Sequence, residues 1–71
     1  MTIRIEYCRV WNYQPRAARL AATLKEKLQL ETQLVAGGRG AFEVFAEDQL
    51  LFSKLNEGRF PEEQEMVDLL R

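Results

Sequence analysis

Histidine is absent from the sequence, and cysteine occurs once, as Cys8. An internal disulfide is therefore impossible. A Cys/His zinc site cannot be assembled, so no metal or bound cofactor is expected, and the Ser-His and Cys-His nucleophile pairs are excluded. No apolar run approaches the roughly 18–20 residues that span a bilayer. The segment Met1-Thr2-Ile3-Arg4-Ile5-Glu6 has neither the hydrophobic stretch nor the cleavage site of a secretory leader. A cytoplasmic location without membrane attachment is the resulting expectation. Neither sign of charge dominates: ten Lys+Arg face eleven Asp+Glu, with a pI near 5.4. Nucleic-acid binders usually present a dominant basic face, because phosphate neutralisation supplies most of their affinity, so no nucleic-acid partner is expected. Such basic character as exists clusters early (Arg4, Arg9, Arg16, Arg19, Lys25, Lys27), and the last third is acidic.

What is present is ordinary globular material. The chain has 71 residues, 46% hydrophobic and 30% charged, which is not the composition of a disordered segment. One domain over residues 1–71 is expected. A chain this short buries only about 60% of its unfolded surface, so its stability is marginal.

Thr2 to Tyr7 alternates, with Ile3, Ile5 and Tyr7 on one face and Arg4 and Glu6 on the other, which predicts a strand buried on one side. Cys8 to Gln14 has no period and reads as a loop. From Pro15 the pattern turns helical: Ala17, Leu20, Ala21, Leu24 and Leu28 share a stripe, Pro15 is tolerated in a first turn, and Asn12 is a candidate cap. Glu31 to Ala36 is a weaker strand ended by Gly37-Gly38-Arg39-Gly40, a turn requiring positive φ. Ala41 to Ala46 is a strong strand, with Phe42 and Val44 opposing Glu43 and Phe45. Glu47-Asp48 predicts a hairpin turn without the usual glycine, and Gln49 to Lys54 the returning strand. Asn56-Glu57-Gly58 breaks the chain. A final helix opens at Phe60-Pro61-Glu62-Glu63, with Pro61 at its first position and Met66, Val67 and Leu70 as its buried stripe. The acids at its start suit the helix dipole better than they suit a carboxylate site. The order β-α-β-β-β-α, opening on a right-handed parallel crossover, predicts an α+β domain in two layers: a four-stranded mixed sheet with two helices packed on it.

Cys8 falls between the first strand and the first helix, the usual place for a site in a β-α unit. A helix N-terminus and the nearby Arg9 and Arg16 favour the thiolate, the reactive form. A lone cysteine is also, and more commonly, a small buried hydrophobe.

These residues resemble the selenoprotein W–related (Rdx; SelW/SelT/SelH) proteins, whose fold is thioredoxin-like. Ile5-Glu6-Tyr7-Cys8 is similar to that family's junction of strand and active loop, and Tyr13 stands where it carries an aromatic. Arg16-Ala17 with Leu20 and Leu24 resembles its first helix, and Gly38-Arg39-Gly40-Ala41-Phe42-Glu43-Val44 its Gly-x-Gly-x-Phe-Glu-Val segment. Leu51-Phe52-Ser53-Lys54 and Gly58-Arg59-Phe60-Pro61-Glu62, with Glu65, resemble the closing hairpin and last helix. The resemblance implies a thioredoxin-like fold and redox chemistry at Cys8.

One position departs from the family. Its motif is Cys-x-x-Cys or Cys-x-x-selenocysteine, and the second redox position here is Trp11. An indole cannot resolve a mixed disulfide, so dithiol chemistry within one chain is ruled out. Two readings remain open. In the first, Cys8 acts as a monothiol in cell redox homeostasis, with protein thiols or glutathione as co-substrate. It is exposed and partly ionised, with Arg9 and Arg16 stabilising the thiolate and Trp11 and Tyr13 forming a docking surface. In the second, the same surface belongs to a redox-inactive interaction module. For Trp11 and Tyr13, packing against the first helix is the plain alternative to docking. A monomer or weak dimer is expected.

Overall fold

The computed structural model describes residues 2–71. Alternation in the first segment gives strand β1 (Ile3–Tyr7), with Ile3, Ile5 and Tyr7 buried. The helical stripe gives α1 (Gln14–Leu28), with Pro15 in its first turn and Ala17, Leu20 and Leu24 buried. It ends at Gln29, which takes a left-handed conformation (φ 61°) and donates its N–H to the carbonyls of Leu24 and Lys25. α1 then crosses over so that β2 (Thr32–Ala36) lies parallel to β1. β3 (Phe42–Ala46) pairs antiparallel on the other side of β1, and β4 (Gln49–Ser53) pairs antiparallel with β3. The spatial order is β2-β1-β3-β4. α1 and a C-terminal helix, described below, cover one face of this mixed sheet, and the core between the layers contains Ile3, Ile5, Leu24, Phe42, Val44 and Met66. The two-layer α+β architecture matches the expectation.

The β3–β4 turn uses Glu47 at φ 53° where glycine is usual. Two contacts to Thr2 hold it there: the Glu47 N–H donates to the Thr2 carbonyl at 2.9 Å, and Thr2 N–H donates to Glu47 Oε1 at 3.0 Å. A register shift between Val44 and Phe45 pairs Phe45 with Leu50 and Val44 with Phe52. The face of the sheet away from the helices mixes matched polar pairs with the apolar side chains of Val35, Phe45 and Leu50. Arg4 Nε meets Glu6 Oε2 at 3.1 Å while its guanidinium lies 4.2 Å from the Phe45 ring centroid, and Ser53 Oγ donates to Glu43 Oε2 at 2.9 Å.

Three details differ from the sequence reading. β4 stops at Ser53, and Lys54–Glu57 forms a short helix, α2, not the end of a strand. Ser53 Oγ accepts the Asn56 N–H at 3.3 Å, capping this turn, and Gly58 (φ 74°) ends it. The element order is thus β-α-β-β-β-α-α. The last helix, α3 (Glu63–Leu70), begins two residues beyond Pro61, which precedes the cap residue Glu62. Pro61 is therefore outside the helix, not at its first position, because the Glu62 and Glu65 pair fixes the start. Leu70 is only half-buried, and Met66 and Val67 carry the packing.

No helix among the described residues is long and apolar enough to cross a membrane.

Candidate functional site

The backbone leaving β1 closes on itself. Cys8 N–H still bonds across to the Ala41 carbonyl (2.8 Å), while its own carbonyl accepts the N–H of Tyr13 (3.0 Å). Between these points Arg9 to Asn12 form a tight turn, with the Asn12 N–H on the Arg9 carbonyl at 3.0 Å and Asn12 at φ 60°. Asn tolerates that left-handed conformation better than most side chains. Asn12 is consequently not the cap of α1. The cap position is Tyr13, which makes no side-chain hydrogen bond, and the first turn of the helix holds no acid.

The turn folds over the sulfur. Cys8 is 1% exposed, where solvent access was the expectation. Its surroundings are not purely aliphatic, however. The Trp11 N–H donates to Cys8 Sγ at 3.4 Å, and the backbone N–H groups of Gly40 and Val10 also bear on it. Burial pushes the thiol up, but the three N–H groups and the charge of Arg39 outweigh it, so the pKa lies below the ordinary thiol value.

Two of those contributors belong to the Gly37–Gly40 loop. Gly37 N–H donates to the Tyr7 carbonyl at 2.7 Å, seating the loop against the end of β1, and the Ala41 N–H reaches back to the Gly38 carbonyl at 3.1 Å. Gly40 has φ 72°, and a Cβ there would lie 2.9 Å from Trp11 Cζ3. The backbone conformation calls for glycine here, and a side chain would also have to displace the indole resting on it. The positive-φ turn read from the sequence is present; its contact with the thiol was not anticipated.

Residues 2–71 match the model of the Rdx family. The chain belongs to the Rdx family. A crystal structure of a Bordetella parapertussis protein superposes with a TM-score of 0.93 at 30% identity, covering 99% of this chain and 92% of that one. The selenoprotein W-related protein from Vibrio cholerae gives a TM-score of 0.79 at 30% identity, with 99% and 96% covered. Migration and invasion enhancer 1 from Bos taurus is 38% identical over 97% of this chain, and this chain spans 61% of that protein's length. A SelT-like protein of Arabidopsis thaliana is 61% identical over a shorter stretch, 44% of this chain and 15% of its own. Membership suggests a role of the thiol-redox type, and these neighbours share the thioredoxin-like α+β fold.

In this Rdx chain the other residues singled out from the sequence are dispersed around the thiol. Trp11, at the second redox position, rests on the Gly37–Gly40 loop. It is 52% exposed, lies over Gly40, and meets Tyr13 edge-on at 6.1 Å between centroids. Tyr13 is half-buried and continues an aromatic chain to Phe60 (4.8 Å), which meets Phe42 at 5.4 Å. Arg16 is not at the sulfur; its guanidinium stacks 4.0 Å from the Phe60 ring centroid. Arg9 points into solvent and is not among the groups acting on the thiol. The cation that does act is Arg39, which sequence reasoning missed. Its signal was the family-like Gly-Arg-Gly segment, read only as a turn.

Beside this aromatic chain Arg16, Arg19, Phe60 and Glu63 help line a recess of about 30 Å³, room for a water or two but not a substrate. No cluster of three metal-ligating side chains exists among the described residues.

Proposed function

We propose that this chain is a monothiol redox protein acting through Cys8, in one thioredoxin-like domain spanning the sequence. The observation that supports it is the Trp11 N–H donated to Cys8 Sγ at 3.4 Å, on a thiol whose pKa lies below the ordinary value, with the Gly40 and Val10 amides also favouring the thiolate. Hydrogen-bond donors of this kind stabilise the thiolate without a second titratable group.

The reaction is thiol–disulfide exchange. Cys8 thiolate attacks one sulfur of oxidised glutathione or a protein disulfide. The Cys8–sulfur bond forms as the substrate's S–S bond breaks, and the other half leaves as thiolate. A second thiolate then attacks the mixed disulfide at the substrate's sulfur, forming a new disulfide and returning Cys8 to the thiolate. With Trp11 in the resolving position, that second thiol comes from another molecule. A reducing compartment such as the cytoplasm suits this single unpaired cysteine, and a part in cell redox homeostasis is the corresponding role.

The 1% exposure of Cys8 favours a second reading, a redox-inactive interaction module that keeps the cysteine as a packed residue. Incubation with oxidised glutathione at several pH values, followed by intact-mass measurement, separates the two. The monothiol reading expects one glutathione adduct per chain, with a reaction midpoint below that of a free thiol. An unmodified chain that alkylates only after unfolding leaves the interaction module.

A further inference from the structure

We propose that the Cys8 end of the sheet is a docking surface for an acidic segment of a partner protein carrying an apolar anchor residue. This deepens the reading above, since such a segment would bring a client's disulfide or thiol to Cys8.

The argument starts from how the ten basic side chains are matched. Four have carboxylate partners: Arg4 with Glu6 on the open sheet face, Lys25 with Glu31 at the far end of α1, and Arg59 with Glu65 and Arg71 with Asp68 around α3. Four of those without one, among the described residues, lie around the Cys8 turn and the aromatic chain that leads away from it. Arg9 sits in the turn that covers it, Arg39 acts on it electrostatically, and Arg16 and Lys54 flank the aromatic chain that begins at Trp11. Carboxylates are not scarce, since acids outnumber bases eleven to ten. Most are placed elsewhere: in the β3–β4 turn, on the open sheet face, along α3 and at Glu26 and Glu31, while Glu57 shares the short helix α2 with Lys54 without forming an ion pair with it. Glu63, which shares the recess with Arg16 and Arg19, accepts the Thr23 hydroxyl and forms no ion pair with either arginine.

Within this cationic frame two large apolar side chains face solvent, Val10 at 78% and Trp11 at 52% exposure. Two of the cations are already held in place. Arg16 lies on Phe60, and Lys54 Nζ is 5.5 Å from the Tyr13 centroid and 5.4 Å from that of Phe60. A cation fixed on a ring keeps its charge for a second partner and loses little side-chain freedom on binding. Unmatched cations around an exposed indole are complementary to carboxylates around an aromatic or aliphatic anchor. Such an arrangement steers encounter and fixes register. A protein segment is favoured over nucleic acid because the chain as a whole carries net charge −1, which opposes a long polyanion.

The test uses the full chain and a short, capped, fluorescent peptide of glutamates around one phenylalanine, without cysteine, read by anisotropy. Binding is expected to weaken as ionic strength approaches about 0.15 M. It is expected to fall about fivefold or more in R9Q/R39Q and in W11A, while R39K retains it and K27Q, at the far end of α1, matches the parent protein. Circular dichroism of each variant confirms that the fold is unchanged. Equal binding of a glutamine-for-glutamate peptide would overturn the proposal, as would an equal loss in K27Q. Tighter binding of a single-stranded oligonucleotide or of anionic vesicles would also overturn it, by assigning the surface to a different partner. C8S keeps peptide binding while losing glutathione adduct formation, so the two readings fail separately. An inert thiol with peptide binding sinks only the monothiol chemistry, and a reactive thiol without peptide binding sinks only the docking surface.

Discussion

The two helices that cover the sheet start in opposite ways. α3 is secured on every side: its cap residue Glu62 donates its N–H to Glu65 Oε1 at 3.2 Å, Arg59 grips both oxygens of Glu65 at 2.9 and 2.8 Å, and Glu63 and Glu65 place negative charge in the first turn. α1 has none of this. Its cap, Tyr13, offers no side-chain acceptor, and its first turn has no acid. The N–H groups just upstream, at Val10 and Trp11, turn instead toward Cys8 Sγ. A helix start normally needs an anion or an acceptor. At α3 the chain supplies one and the start is structural; at α1 the first turn is left without one, and the sulfur instead collects amides of the preceding turn and of the Gly37–Gly40 loop. The same ionic logic lowers Glu65 to about 2 at one start, through Arg59 and the Glu62 N–H, and depresses the thiol at the other.

The largest expected effect breaks the thiol side of this contrast. Gly40→Ala forces a side chain into a left-handed position and against the Trp11 indole, costing at least about 1–2 kcal/mol in urea unfolding. Displacing the Gly40 N–H also raises the thiol pKa, seen as a later midpoint in the pH profile of alkylation. Adding Trp11→Ala relieves the clash but not the backbone strain, so the double variant recovers only part of the loss. A normal thiol pKa in Gly40→Ala would show that the loop plays no part in ionising the sulfur.

Next comes the α3 side. Glu65→Ala removes both the cap contact and the Arg59 pair and is expected to destabilise the chain by about 1 kcal/mol, with Cys8 alkylation unchanged. The pH dependence follows in sign. The folded carboxyl lies near 2, below its ordinary 4.5, so its contribution is complete above the ordinary value and is lost as pH falls through 4.5 toward 2. Arg59→Gln should flatten that part of the stability profile; an unchanged profile would mean the pair is not formed in solution.

The smallest effect sharpens the comparison by making α1 more like α3. Gln14→Glu puts an acid in the bare first turn and should stabilise the fold by about 0.3–1 kcal/mol. It should at the same time raise the thiol pKa, because the new carboxylate competes for the same positive potential. Stabilisation without any change at the thiol would uncouple the helix start from Cys8.

Much of this fold was legible residue by residue. Period-two burial in Ile3-Arg4-Ile5-Glu6-Tyr7 and the α1 stripe of Ala17, Leu20 and Leu24 follow from patterns that any chain must obey to bury one face. The short α2 helix was not legible, because it depends on Ser53 turning its hydroxyl to Asn56, and a strand-like Leu51-Phe52-Ser53-Lys54 gives no warning of it. Nor was the start of α3 after Pro61, which is set by a reciprocal contact and not by propensity. At the site, Cys8 was found from its place between the first strand and the first helix, and Trp11 from the redox motif of the family that the chain resembles. Arg16 was misplaced because closeness in sequence stood in for closeness in space, and the Phe60 ring that captures it lies far along the chain.

The sequence by itself determined that a lone sulfur follows the first strand, that no second thiol or histidine can assist it, and that two helices must cover one face of a sheet. Composition and periodicity decide such things because they constrain every arrangement of the chain alike. Only the tertiary structure decided what the sulfur meets: a turn that hides it from water, the N–H of Gly40 and the charge of Arg39 brought in from a loop beyond β2, and an indole laid over that loop. Those contacts join residues distant along the chain, and the pairing of β1 with β2 and β3 brings them together.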